Sequence, residues 1–231
     1  MKLFFKITFV FCCFFLFIGS KIEARNIKTE YIVEFGKINI GKLYWEITND
    51  KEYYSIVVAL KDKGILSGLY NFDGNYSAKG VVYNDVYLPT QYLQNWKTRK
   101  KEKVVELFFD GDSLIRLINK PEEKELPRIN YGEQRGLSDP LTSFLKILNG
   151  KKKSKTIDGR RVYSMVVKDG VIDKNYLNKI IIIRDYKNIW ADHNRIDLKQ
   201  ITLKYSKKNK DFMPEKIIIK YKKVNFVLKK N

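Results

Sequence analysis

The chain has 231 residues, of which 45 are basic and 26 acidic, for a net charge of +19. Its two cysteines, Cys12 and Cys13, both precede residue 25, so disulfides, thiol catalysis and cysteine-held metal are excluded from everything after. The positive excess is 36 lysines against 9 arginines, beside abundant Ile, Asn, Tyr and Phe. An A/T-rich coding sequence produces that pattern without any selected partner, while the functional alternative is an anionic membrane surface or acidic polymer. Nucleic acid is not expected, because lysine reads phosphate less well than the bidentate arginine fork.

The N-terminus reads as a targeting segment. Lys2 and Lys6 precede an apolar run from Ile7 to Ile18, with Gly19-Ser20 and Ile22-Glu23-Ala24 after it. That run is short of the roughly 20 apolar residues a spanning helix needs, so a secretory signal peptide over 1–24 is expected, cleaved between Ala24 and Arg25. Residues 25–231 then form a single β-rich periplasmic domain. The alternative is an uncleaved segment anchoring the chain to the inner membrane.

Alternating patterns predict strands over Thr29–Phe35, Ile38–Ile47 and Tyr53–Leu60, linked by tight turns at Gly36 and Asn49-Asp50. The stretch Gly64–Tyr70 is too short and glycine-rich for a full helix and suits one turn or a bent strand. A strand over Asn75–Tyr83 leads through Asn84-Asp85 into a loop ending at Leu88-Pro89. Gln91–Trp96 and Lys103–Phe109 pair across a basic turn, and Asp110-Gly111-Asp112 is a hairpin signal before Leu114–Ile118. The stretch from Lys120 to Gln134 is polar, holds two prolines and shows no periodicity, as a long loop does.

One helix is well delimited. Asp139 suits an N-cap and Pro140 the first helical position. Leu141, Phe144, Leu145 and Leu148 follow on one apolar face, and Gly150 suits a left-handed cap. Lys151–Lys155 reads as a basic run. Strands follow around Asp158-Gly159-Arg160-Arg161, over Val162–Val167, Tyr176–Arg184, Ile196–Tyr205, Glu215–Lys220 and Lys223–Leu228, with Asp185–Arg195 a loop and Ile180–Ile183 central. About twelve strands and one helix give an all-β or β-dominated α+β fold: a curved antiparallel sheet or half-barrel with one main helix at about 139–149.

Asp139-Pro140-Leu141-Thr142-Ser143-Phe144-Leu145, followed by Asp158-Gly159-Arg160-Arg161-Val162-Tyr163, resembles a family of exported proteobacterial proteins catalogued only as a domain of unknown function, 3108. Gly36-x-x-x-x-Gly41, Leu88-Pro89 and Pro214-Glu215-Lys216 fit the same pattern. The resemblance implies a periplasmic β-rich protein shaped like the half-barrel carriers of lipoproteins and lipids, and brings no catalytic activity with it. Read physically, Asp139-Pro140 caps the helix, Asp158-Gly159 makes a hairpin turn, and Arg160 and Arg161 suit clamping a carboxylate, either Asp139 or an anionic ligand. A structural role is the favoured reading for all of these residues, including Tyr163.

Catalytic chemistry is poorly supplied. A Ser-His-Asp arrangement would have to use His193, the one histidine, and no Gly-x-Ser-x-Gly elbow accompanies it. Asp192, Asn194 and Asp197 lack the glycine and terminal glutamate of a calcium loop. No catalytic, cofactor or metal site is therefore expected. Aromatics crowd the first strands at Tyr31, Tyr44, Trp45, Tyr53 and Tyr54, and either fill a core or line an acyl-sized cavity. The expected function is a non-enzymatic envelope protein binding an apolar or amphiphilic ligand such as a lipid or acyl chain. The alternative is a structural or assembly factor that binds another envelope protein.

Overall fold

The structure, a computed structural model, describes residues 25–231 apart from 37, 63–71, 173–175, 191–197 and 209–210. The N-terminal segment through Ala24 that is expected to be a signal peptide, the glycine-rich stretch 64–70 and His193 with Asp192, Asn194 and Asp197 lie outside the described residues. Arg25 opens the first strand. Among the described residues no helix is long and apolar enough to cross a membrane.

The elements are β1 (Arg25–Phe35), β2 (Ile38–Asn49), β3 (Tyr53–Asp62), β4 (Asp73–Tyr83), β5 (Val86–Lys97), β6 (Glu102–Asp110), β7 (Ser113–Lys120), β8 (Leu137–Ser138), α1 (Pro140–Leu148), β9 (Lys153–Ile157), β10 (Arg161–Ile172), β11 (Tyr176–Asn188), β12 (Leu198–Ser206), β13 (Lys216–Tyr221) and β14 (Val224–Lys230). All fourteen strands join one sheet, ordered β7-β6-β5-β4-β3-β2-β1-β14-β13-β12-β11-β10-β9-β8. The fold is β-dominated with one helix, a nearly closed barrel. Among the described strands only β8 and β9 run parallel, and α1 is the crossover between them.

Several boundaries differ from the sequence reading for physical reasons. Asn84 and Asp85 both take positive φ, 48° and 60°, which makes a two-residue turn, so β5 starts at Val86 rather than beyond Pro89. Pro89 is tolerated inside the strand because the register shifts there, opposite Gly80. Part of the basic run 151–155 is strand β9, whose inward residues Ser154 and Thr156 are small hydroxyls. Strand β11 runs to Asn188, past Asp185, which takes φ 54°.

Since all pairs but one are antiparallel, connections alternate between two rims. The upper rim carries the turns at Gly36, 98–101, 158–160 and 222–223; the lower rim carries those at 50–52, 84–85 and 111–112. Among the described residues the sheet's two edges, β7 and β8, are not paired along their length. They are bridged at the lower rim by the Leu137 amide donating to the Asp112 carbonyl at 3.1 Å, and at the upper rim by Asn119 Nδ2 donating to the Gly159 carbonyl at 3.3 Å.

Candidate functional site

The helix lies inside the barrel, against β4, β5 and β9. Its start follows local chemistry. Asp139 Oδ1 accepts from the amides of Leu141 and Thr142, each at 2.9 Å, and Pro140 takes the position that needs no donor. Asn149 closes the helix and Gly150 follows at φ 94°. The single apolar face read from sequence widens here, because Thr142, Ser143 and Ile147 are buried together with Phe144, Leu145 and Leu148, while Leu141 is half-buried.

Burying the polar side chains is possible because each finds a partner. Thr142 Oγ1 shares a hydrogen bond of 2.8 Å with Tyr54 OH. Ser143 Oγ accepts from Ser154 Oγ at 3.0 Å and Thr156 Oγ1 at 2.8 Å. Lys146 Nζ donates to Ser138 Oγ at 2.6 Å. Asp139 is fully buried, and its Oδ2 has no partner among the described residues. Burial pushes its carboxyl up to about 6, against the lowering effect of its hydrogen bonds with Thr142 and Leu141. Burial likewise pushes the Lys146 ammonium down.

The second motif closes the seam between the sheet's edges. Asp158 Oδ1 accepts from the amides of Arg160 at 2.9 Å and Arg161 at 2.7 Å, an Asx turn. Gly159 takes φ 86°, and its carbonyl accepts from Trp190 Nε1 at 3.1 Å besides Asn119. Arg160 pairs with Glu123 of the 121–136 loop, and Arg161 lies over the Tyr186 ring at 5.8 Å. The carboxylate that the turn's arginine holds is thus Glu123, while Asp139 serves its own helix. Tyr163 is buried and stacks on Tyr186, with ring centres 6.1 Å apart. Sequence-predicted residues therefore gather as two locks, at the helix start and at the upper seam.

Sequence reasoning missed the barrel's mouth. Residues paired across strands share a face, so register traces rows around the inner wall. One row runs Ile27, Ile47, Ile56, Ala78, Tyr92, Leu107. From Ile47 onward that row is at most 2% exposed. The next row toward the upper rim alternates, with Trp45, Tyr76 and Gln94 half-buried and Val58 and Val105 buried. Above it lie Leu43, Leu60, Trp96 and Lys103, half-buried as well, with Gly74 between Leu60 and Trp96.

On the far side, Phe35 pairs with Phe226 and Phe226 with Ile219, which leads to the buried Ile201. Phe35 is 40% exposed. Among the described residues the interior is thus dry below and half-open toward the upper rim, a cup walled by aromatic and aliphatic side chains. Its floor is the Trp45 ring against Phe144 of α1, centres 5.0 Å apart. Phe72 stacks on Trp96 at 6.2 Å, and Lys103 Nζ stands 5.7 Å over the same ring. The sequence signal was the aromatic crowding, but which rings face one space depends on pairing between strands far apart in the chain.

The outer face of β1–β3 carries a shallow groove of about 390 Å³ with Tyr44, Val57 and Ala59 on its floor. Its flanking charges satisfy each other, Lys28 with Glu46 at 3.1 Å and Lys42 with Glu30 at 2.6 Å. Among the described residues, no three His, Cys, Asp or Glu side chains gather as a metal site.

Residues 30–178, which include both motifs, match a family described as protein of unknown function (DUF3108). Pro214-Glu215-Lys216 lies beyond the matched span. No curated protein and no solved structure matches the chain.

Proposed function

We propose that this chain, which belongs to the DUF3108 family of proteins of unknown function, is an exported, non-enzymatic envelope protein that binds the acyl part of a lipid or similar amphiphile in the cup above α1. The observation that carries this reading is the gradient of burial along the inner wall. Apolar side chains directed inward are dry beside α1 and half-open at the upper rim, from Ile47 at 1% exposure to Phe35 at 40%. Leaving inward-facing aromatics wet costs roughly 25 cal/mol per Å² of apolar surface, and an acyl chain seated there recovers that energy. Lys103 at the mouth places a cation where the head group of an anionic amphiphile would emerge. The charged start and short apolar run of 1–24 support export to the periplasm, where such ligands are met.

Trp45 and Trp96 stand in the cup, while Trp190 stands at the seam. Titration with a fatty acid brominated along its chain should quench the tryptophan emission, and Trp190→Phe should keep that quenching. Native mass spectrometry of protein taken from envelopes should show acyl-bearing adducts. Absence of both effects would overturn the reading.

A further inference from the structure

Among the described residues, strand β7 ends the sheet and its outer edge has no strand partner. Its links across the seam among the described residues lie at its two ends: at one the Asp112 carbonyl accepts from the Leu137 amide and Ser113 Oγ from Arg135, and at the other Asn119 donates to Gly159. Beside it lies a cleft of about 450 Å³ lined by residues 116–119. Successive strand residues point to opposite faces, so a space touched by four in a row runs along the strand's edge. The opposite wall is the 121–136 loop, with Glu122, Glu123 and Glu125, and Trp190 behind it. That wall is pinned by the Arg160–Glu123 pair and by the Arg128 amide, which donates to the Ile189 carbonyl at 2.6 Å. Asn119, 8% exposed, also lines the cleft, and its Oδ1 is a buried acceptor without a partner among the described residues.

From this geometry we infer that the β7 edge is a docking site for an extended, basic segment of another polypeptide, which adds to the sheet as a strand. Unpaired edge groups are a template for such pairing. Four residues of edge give room for roughly 13 Å of strand. The charge selects the partner. In a chain of net charge +19, this cleft is walled by glutamates, and Arg160 neutralises Glu123 while Glu122 and Glu125 stand exposed. Arg116, on the strand side, lies over the Phe108 ring at 5.7 Å. A lysine- or arginine-bearing segment meets complementary charge here, and an acidic one meets repulsion. This site is separate from the cup and does not depend on ligand binding there.

Three fluorescein-labelled octapeptides test the inference by anisotropy with the full chain: alternating Lys-Val, alternating Glu-Val, and Lys-Val with every backbone nitrogen methylated. The basic peptide should bind at least tenfold tighter than the acidic one and lose at least tenfold on methylation. It should also slow hydrogen exchange over 113–120. Glu122→Lys combined with Glu125→Lys, both at exposed positions, should weaken it at least fivefold. Equal binding of the methylated or the acidic peptide, or no binding at 1 mM, would overturn the inference. Dimerisation of the chain alone with protection of 113–120 would assign the edge to a second copy and overturn it equally.

Discussion

Gly159 is seated directly on Val105: a Cβ added to Gly159 would lie 2.3 Å from Val105 Cγ1. The turn between β9 and β10, near one end of the sheet, therefore rests on β6, near the other end. Its carbonyl takes Asn119 and Trp190 from two further elements. The motif Asp158-Gly159-Arg160-Arg161 is in this sense the catch that holds a 14-stranded sheet in a barrel.

Gly159→Ala should accordingly cost about 3 kcal/mol or more, because the new methyl both clashes with a packed side chain and requires φ of 86°. Urea unfolding measures this. Gly132→Ala is the control, because its Cβ would meet its nearest neighbour at an ordinary 3.6 Å. A cost for Gly159→Ala within 0.5 kcal/mol of the control, the usual scatter of surface changes, would show that the catch does not bear on the fold.

Asp139 should make stability fall with rising pH. Its carboxyl titrates at about 6 in the folded chain, above the unfolded value, so the native state holds the proton more tightly. Between about pH 4 and pH 6 the folded state binds more protons than the unfolded one, and stability drops as pH rises through that window. The shift corresponds to about 3 kcal/mol over the whole window. Asp139→Asn keeps the capping acceptor and removes the charge, so its stability should fall less between pH 5 and pH 7.5 than that of the parent chain. Asp158, also pushed up by burial, leaves a residual slope in the variant. Identical slopes in denaturant titrations at the two pH values would contradict this account.

Ser143 is an acceptor shared by two strand hydroxyls, so Ser143→Ala should cost about 2 kcal/mol by leaving Ser154 and Thr156 unsatisfied in a dry space. Combining it with Ser154→Ala and Thr156→Val should recover part of that loss, since no orphaned hydroxyl remains. Strictly additive losses in unfolding free energy would mean that the three hydroxyls are not coupled.

What could be read in advance was local chemistry. The cap at Asp139-Pro140, the end at Gly150 and the turns at Asn84-Asp85 and Gly111 follow from backbone preferences within a few residues, and all stand where expected. The first part of β9, Lys153–Lys155, does not show within the basic run, because its inward residue Ser154 is polar and is satisfied by Ser143 on the helix. Strand β8 is two residues long and parallel to β9, with no local signature. The passage of β5 through Pro89 depends on a register shift opposite Gly80, whose added Cβ would strike the Leu88 carbonyl at 2.1 Å. The cup was invisible for the same reason: Leu43, Leu60 and Trp96 face one space only because three hairpins hold register.

That register yields a last prediction at Leu60. It points inward, half-buried, between Leu43 on β2 and Gly74 on β4, above the packed row of Ile56 and Ala78. A carboxylate introduced at this half-buried position keeps part of its hydration, so Leu60→Glu should cost stability at most about 1–2 kcal/mol, well below the effect of burying a charge. Its effect on a ligand should be larger. An acyl chain entering the cup would have to desolvate the carboxylate, and an anionic head group would be repelled by it. Affinity for a brominated fatty acid, read from tryptophan quenching, should fall at least tenfold. Val57→Glu is the comparison, because Val57 is 50% exposed on the outer face of the same strand and should leave the affinity unchanged. Loss with Val57→Glu and none with Leu60→Glu would place the ligand in the outer groove rather than in the cup.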